Sequence, residues 1–213
     1  MLITFEGPSA IGKSTLCTHL KTQFYSVPEV NELFKRPKTA SNLWYYKKQL
    51  SRYSLGLNAS TSVIFDGDVF QPLWYNWTYH SKDFNLADAL SFYKTEIFKQ
   101  TLTFPDLYIV FYCDTKRLYF RKTKDFTRKR SNFNKHLQLI PNQYRYFKFL
   151  AKHTDVNVVF IPYLDLQTTR SQVLNTINKQ QLITNKTINH YQTINQIEAW
   201  LTNNKPTAWS TNY

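Results

Sequence analysis

The chain has 213 residues, 42% of them hydrophobic and 17% aromatic, which supports one sizeable buried core and excludes an intrinsically disordered protein. Its formal net charge of +13 favours anionic partners, among them phosphorylated small molecules and nucleic acid. No run approaches the roughly 18 apolar residues of a membrane span, and Cys17 and Cys113 form neither a metal-ligand spacing nor a disulfide framework.

The apolar run Leu2-Ile3-Thr4-Phe5 reads as a first strand. It leads into Gly7-Pro8-Ser9-Ala10-Ile11-Gly12-Lys13-Ser14-Thr15, after which Leu16, Leu20 and Phe24 recur at helical spacing. Strand, then Gly-x-x-x-x-Gly-Lys-Ser-Thr, then helix is the context in which a Walker A pattern binds a nucleoside triphosphate. The glycines let the backbone curl so that amides from Gly7 to Thr15 face phosphate oxygens, with Ser9, Ala10, Ile11 and Gly12 at the bend. Lys13 is expected to reach the β- and γ-phosphates and Ser14 to ligate Mg²⁺, beside the positive end of the helix. A Gly/Ser turn that merely caps a helix is the alternative, and both the spacing and the flanks argue against it.

Residues 25–30 read as a second strand with Glu29 near its carboxyl end, where open α/β sheets gather their ligands. Residues 31–40, with Lys35, Arg36 and Lys38, read as a loop. Leu43, Tyr46, Leu50, Tyr53 and Leu57 predict a helix over 42–57; Arg52 lies one residue off that stripe, facing a pocket or water. A third strand at 62–65 closes on Asp66-Gly67-Asp68, and an aromatic-rich connection at 70–79 follows, with Trp74, Tyr75 and Trp77. The pattern predicts a helix over 85–102 capped by Asn85, a strand over 107–113, and a basic segment over 116–135 whose only acid is Asp125. Helical character resumes near 133 and again over 142–152, before a fifth strand at 156–161 and a helix at 167–178. The remainder loses this alternation, apart from a further helix around 188–201, and 205–213 is expected to fray. Five strands alternating with helices imply an α/β fold with a parallel sheet, covered on both faces.

Phe5-Glu6-Gly7 with Gly12-Lys13-Ser14-Thr15-Leu16 resembles the opening of thymidylate kinases, and Phe104-Pro105-Asp106-Leu107, an apolar strand and Asp114 resemble their fourth-strand region. Val27-Pro28-Glu29-Val30 is similar to the second-strand motif of deoxynucleoside kinases, where the glutamate meets the acceptor hydroxyl. The resemblance, to the P-loop nucleoside and nucleotide kinases, spans about residues 1–175. It implies a P-loop kinase fold with a five-stranded parallel sheet and helices on both faces. The kinase domain would cover 1–178, with a lid at about 116–135 and a C-terminal, partly helical extension over 179–213. It further implies transfer of the γ-phosphoryl group of ATP, with Mg²⁺, to a hydroxyl or monophosphate of a small nucleoside-like or aromatic acceptor. One departure stands out. Those kinases carry Asp-Arg or Glu-Arg-Ser after the third strand, whereas Gly67 occupies the arginine position here. An uncharged acceptor, as in the chloramphenicol phosphotransferases of this general plan, therefore stands beside a monophosphate.

The expected roles follow. Lys13, Mg²⁺ and the lid arginines Arg121 and Arg128 would neutralise the transferred group, with Arg117 and Arg130 next in line. Glu29 or Asp68 would orient or deprotonate the acceptor hydroxyl, and Asp66 would serve the metal with Ser14. Arg36 and Arg52 are the candidates for an acceptor phosphate; Trp74 and Tyr75 would stack on a planar ring. Tyr163, after the fifth strand, falls where this fold holds the adenine, and Arg117 joins it in the donor set. Each carboxylate alone serves as readily as a loop cap or surface ion pair, but three at adjacent strand ends point to one crevice. A nucleic-acid-end kinase and a nucleotide-dependent switch remain as alternatives; nucleic acid ranks behind a small acceptor. No membrane partner is expected, a homodimer is compatible with the sequence, and the expected setting is cytoplasmic.

Overall fold

The computed structural model describes residues 1–79, 84–125, 133–182 and 187–207. Among them, five strands form one sheet in the order β2-β3-β1-β4-β5. These are β1 Leu2–Glu6, β2 Tyr25–Val27, β3 Val63–Asp66, β4 Leu107–Tyr112 and β5 Val158–Pro162. Every pairing is parallel, so each strand ends at the same edge and the connections cross over as helices.

The side-chain alternation of β4 shows how the sheet is covered. Tyr108 and Val110 enter a core with helices α3 Asn42–Leu57, α4 Gln71–Tyr79, α5 Leu86–Phe98, α7 Phe133–His153 and α9 His190–Asn203. Leu107, Ile109 and Phe111 enter the opposite core, with α1 Lys13–Leu20, α6 Thr115–Lys124 and α8 Leu166–Leu182. A strand buried on both faces must be apolar throughout, which is why this run was legible in the sequence.

Several elements differ from their expected bounds. β2 stops at Val27 because Pro28 has no N–H for the ladder, and Glu29 instead stands at the N-cap position, without a side-chain capping bond, of the single turn α2 Val30–Leu33. The aromatic connection is the helix α4, with Pro72 in its first turn where the missing N–H costs nothing. α5 is capped by Asn85, which accepts from Ala87 N and Asp88 N, but it ends at Phe98; Gln100 then turns with φ 59. The two expected helical pieces after 133 are one helix of 21 residues, with Pro141 on its exposed side.

The C-terminal residues pack firmly. Ile194, Ile197 and Leu201 of α9 share the core of α4, α5 and α7, and Trp200 stacks on Phe149 at 4.8 Å. Beyond it, Thr207 N donates to Asn142 Oδ1 at 2.8 Å and Arg145 donates to Lys205 O at 3.0 Å, so 205–207 are tied to α7 where fraying was expected. No helix among the described residues is long and apolar enough to cross a membrane.

Candidate active site

A cleft of about 770 Å³ opens along the carboxyl edge of the sheet. One wall is the loop between β1 and α1. Gly7 has φ +138, and a Cβ there would meet Phe111 O at 2.5 Å; Gly12 has φ +110, and a Cβ there would meet the Tyr163 hydroxyl at 2.7 Å. Both positions therefore require glycine, which lets the loop lie against β4 and β5. All residues from Gly7 to Thr15 line the cleft, and Lys13 Nζ donates to Gly7 O at 3.1 Å, folded across the loop.

The opposite wall comes from the ends of β2 and β3, α3 and α4. Glu29, half-buried, lines the cleft beside Gly67, where an ideal Cβ would lie 3.7 Å from Glu29 Oε1. Asp66 and Asp68 are buried at the floor, and Asp66 Oδ1 and Asp68 Oδ2 have no protein hydrogen-bond partner. An orphaned carboxylate oxygen at the third strand's end, with Ser14 also lining the cleft, fits an oxygen-ligated Mg²⁺.

Arg52 is 1% exposed and its guanidinium is committed to the frame. Nε donates to Pro28 O at 2.5 Å, Nη1 to Gln49 Oε1 at 2.8 Å, and Nη2 to Asp66 O and Gly67 O at 2.8 and 2.7 Å. It ties the two strand ends that carry all three carboxylates. Burial lowers its pKa from the ordinary guanidinium value, opposed by Tyr45 and the acids around it. Arg36 lines the cleft from an exposed loop.

Three features of the floor and wall depend on contacts that spacing does not reveal. Glu6, the residue before the loop, is buried and accepts from Gly7 N at 2.9 Å, Asp68 N at 3.1 Å and Gln143 Nε2 of α7 at 2.6 Å. Burial raises its pKa, against the pull of Lys13. Burial and the adjacent Glu6 push Asp68 up to about 7, although Phe70 N and the Tyr108 hydroxyl both donate to Oδ1. A chain of polar side chains, Arg52 to Gln49 to Tyr45 to Gln71, runs along the cleft wall, and burial pushes the Tyr45 hydroxyl up to about 12. Glu6 sat in full view beside a glycine, yet nothing local signals that a glutamate at a strand end will be buried.

Trp74 is buried, with Tyr75 half-buried beside it; both line the cleft with Phe84. Trp77 turns away from it, donating from Nε1 to Asn204 O at 2.7 Å and packing on Trp200. On the lid side, Asp125, His136, Leu139 and Gln143 line the cleft. Arg121 does not: it donates to Ile11 O and, at 3.0 Å, to Leu164 O, with its guanidinium 4.3 Å from the Tyr163 ring centre. Tyr163 is 4% exposed and packs on Phe111, behind the loop. Arg117 is exposed and pairs with Asp114 at 3.3 Å. Arg128 and Arg130 lie outside the described residues.

No protein-family model matches the sequence, and no curated protein matches it. Solved structures do resemble the fold. Deoxyadenosine kinase from M. mycoides with products dCMP and a flexible dCDP has a TM-score of 0.57 and 18% identity, covering 84% of this chain and 100% of that one. The same enzyme with bound dATP gives 0.58 and 19%, with 84% and 100% covered. Thymidylate kinase from Candida albicans gives 0.57 and 15%, with 84% and 92% covered. The fold is that of the P-loop nucleoside and nucleotide kinases.

Proposed function

We propose that this chain is a small-molecule kinase that moves the γ-phosphoryl group of ATP to a small nucleoside-like or aromatic acceptor. The observation that carries the reading is one continuous cleft with a Walker A loop on one side and Glu29, Asp66 and Asp68 on the other, beside an aromatic wall. The loop amides and Lys13 would hold the triphosphate, and their charge would oppose the negative charge spread over the transferred group. Ser14 and Asp66 would hold Mg²⁺, which when bound neutralises the β- and γ-oxygens.

Transfer forms a bond between the acceptor oxygen and the γ-phosphorus and breaks the bond from that phosphorus to the β–γ bridging oxygen, which leaves on ADP. The hydroxyl proton passes to a carboxylate and then to solvent. Glu29 suits that role: it lines the cleft half-buried, whereas Asp68 lies buried under hydrogen bonds from Phe70 N and Tyr108. Trp74 and Tyr75 would flank the acceptor ring. The enclosed aromatic lining of Trp74, Tyr75 and Phe84 supports a small planar acceptor over a nucleic-acid end.

The test is a mass assay with Mg·ATP and a panel of nucleosides, nucleoside monophosphates and hydroxyl-bearing aromatic compounds. A gain of one phosphate on a panel member, with an equal amount of ADP, is expected. ADP without a phosphorylated acceptor, or no turnover at all, would overturn the reading.

A further inference from the structure

The protein is strongly basic, yet the described lining of the cleft is not. Among the described residues, six carboxylates line it, from Glu6, Glu29, Glu32, Asp66, Asp68 and Asp125, against the cations Lys13, Arg36 and Arg52. The acids outnumber the cations two to one.

The cations are also unevenly disposed. Lys13 belongs to the phosphate loop. Arg52 looks like an acceptor-phosphate ligand in sequence, but its Nε and Nη2 donate to Pro28 O, Asp66 O and Gly67 O, and Nη1 to Gln49. A guanidinium has five N–H donors in a fixed fork, so a phosphate could be gripped in two places only by breaking this frame. Gly67 offers no side chain, and what lies beside it is Glu29. Arg36 is exposed on its loop. A phosphate dianion at the ends of β2 and β3 would therefore sit among carboxylates, with its nearest buried guanidinium already committed.

The rest of this wall suits a neutral planar molecule. Trp74, Tyr75 and Phe84 give it an aromatic lining, and Gln71, whose Oε1 accepts from Tyr45, brings an amide for the edge of a heterocycle, while Gln49 is buried and bonded to Arg52 and Tyr45. We infer that the acceptor is a nucleoside bearing a free hydroxyl, and not a nucleoside monophosphate. The inference deepens the kinase reading and rests on it.

The experiment compares kcat/KM for each common ribo- and deoxynucleoside with that of its own 5′-monophosphate, at fixed Mg·ATP, following phosphate gain by mass. At least one nucleoside is expected to exceed its monophosphate by at least about 100-fold. A monophosphate turned over as well as, or better than, its nucleoside would overturn the inference and leave the kinase reading standing. Phosphate gain on neither would overturn the kinase reading and the inference with it.

Discussion

The phosphate-loop wall of the cleft is made of backbone from one continuous stretch, Gly7 to Thr15, whereas the facing wall is made of side chains drawn from residues 29–32 after β2 and from β3, α3, α4 and α7. The first needs only glycines at positive φ and a helix start, all local properties. The second is held by bonds across long stretches of chain: Arg52 to Pro28, 24 residues away, Tyr45 to Gln71, 26 away, and Gln143 to Glu6, 137 away. A backbone site tolerates varied side chains nearby. A side-chain site loses its frame when one member is removed.

Lys13→Ala gives the largest expected effect and isolates the backbone wall. It should lower kcat/KM for phosphoryl transfer by roughly 10³-fold, as for loss of a positioned charge stabilising the transferred group. The melting temperature should move far less than for Arg52→Met, since Lys13 is only half-buried and lies along the cleft wall. A large loss of stability would break the contrast between the two walls.

Arg52→Met probes the other wall and should act on folding first. Removing the guanidinium leaves the carbonyls of Pro28, Asp66 and Gly67 in a buried setting without their donor, a cost of about 3 kcal/mol in a denaturant titration. Arg52→Lys should recover only part of it, because an ammonium cannot reproduce the fork. Activity lost at full stability would instead make Arg52 a substrate ligand and bring the two walls closer in kind.

A graded, pH-dependent effect sharpens the comparison at the floor where the walls meet. Asp68 is raised to about 7 by burial and by Glu6, so between about pH 4 and pH 7 the native chain holds a proton that the unfolded chain has released. Its contribution to stability therefore falls as pH rises through that window, by at most about 1.4 kcal/mol per pH unit, and levels off above it. The stability of the wild type relative to Asp68→Asn, measured by urea titration from pH 4 to pH 8, should decline and then flatten. A difference independent of pH would mean that Asp68 titrates normally.

Legibility in the sequence tracks the same division. The Walker A spacing, the doubly buried β4 and the stripe of α3 are patterns a few residues long, and each was readable with bounds close to those observed. Where a local signal was overridden, the cause was also physical: Pro28 cut β2 short and left Glu29 at the start of α2, while an aromatic stretch became the helix α4 because tertiary burial of Trp74 and Trp77 rewards it. The arginines show another limit of spacing. Arg121 and Arg52 are suitable phosphate ligands by type, and in the fold one donates to Ile11 and Leu164 and the other to strand ends, bonds that no local pattern announces.

The sequence by itself determined the α/β class, the phosphate loop and the presence of carboxylates after the second and third strands, since each depends on neighbours along the chain. Only the tertiary structure decided which charges face the cleft and which are consumed in holding it. Hydrogen bonds as distant as Gln143 to Glu6 leave no trace in spacing, and a buried guanidinium looks the same in sequence as a free one.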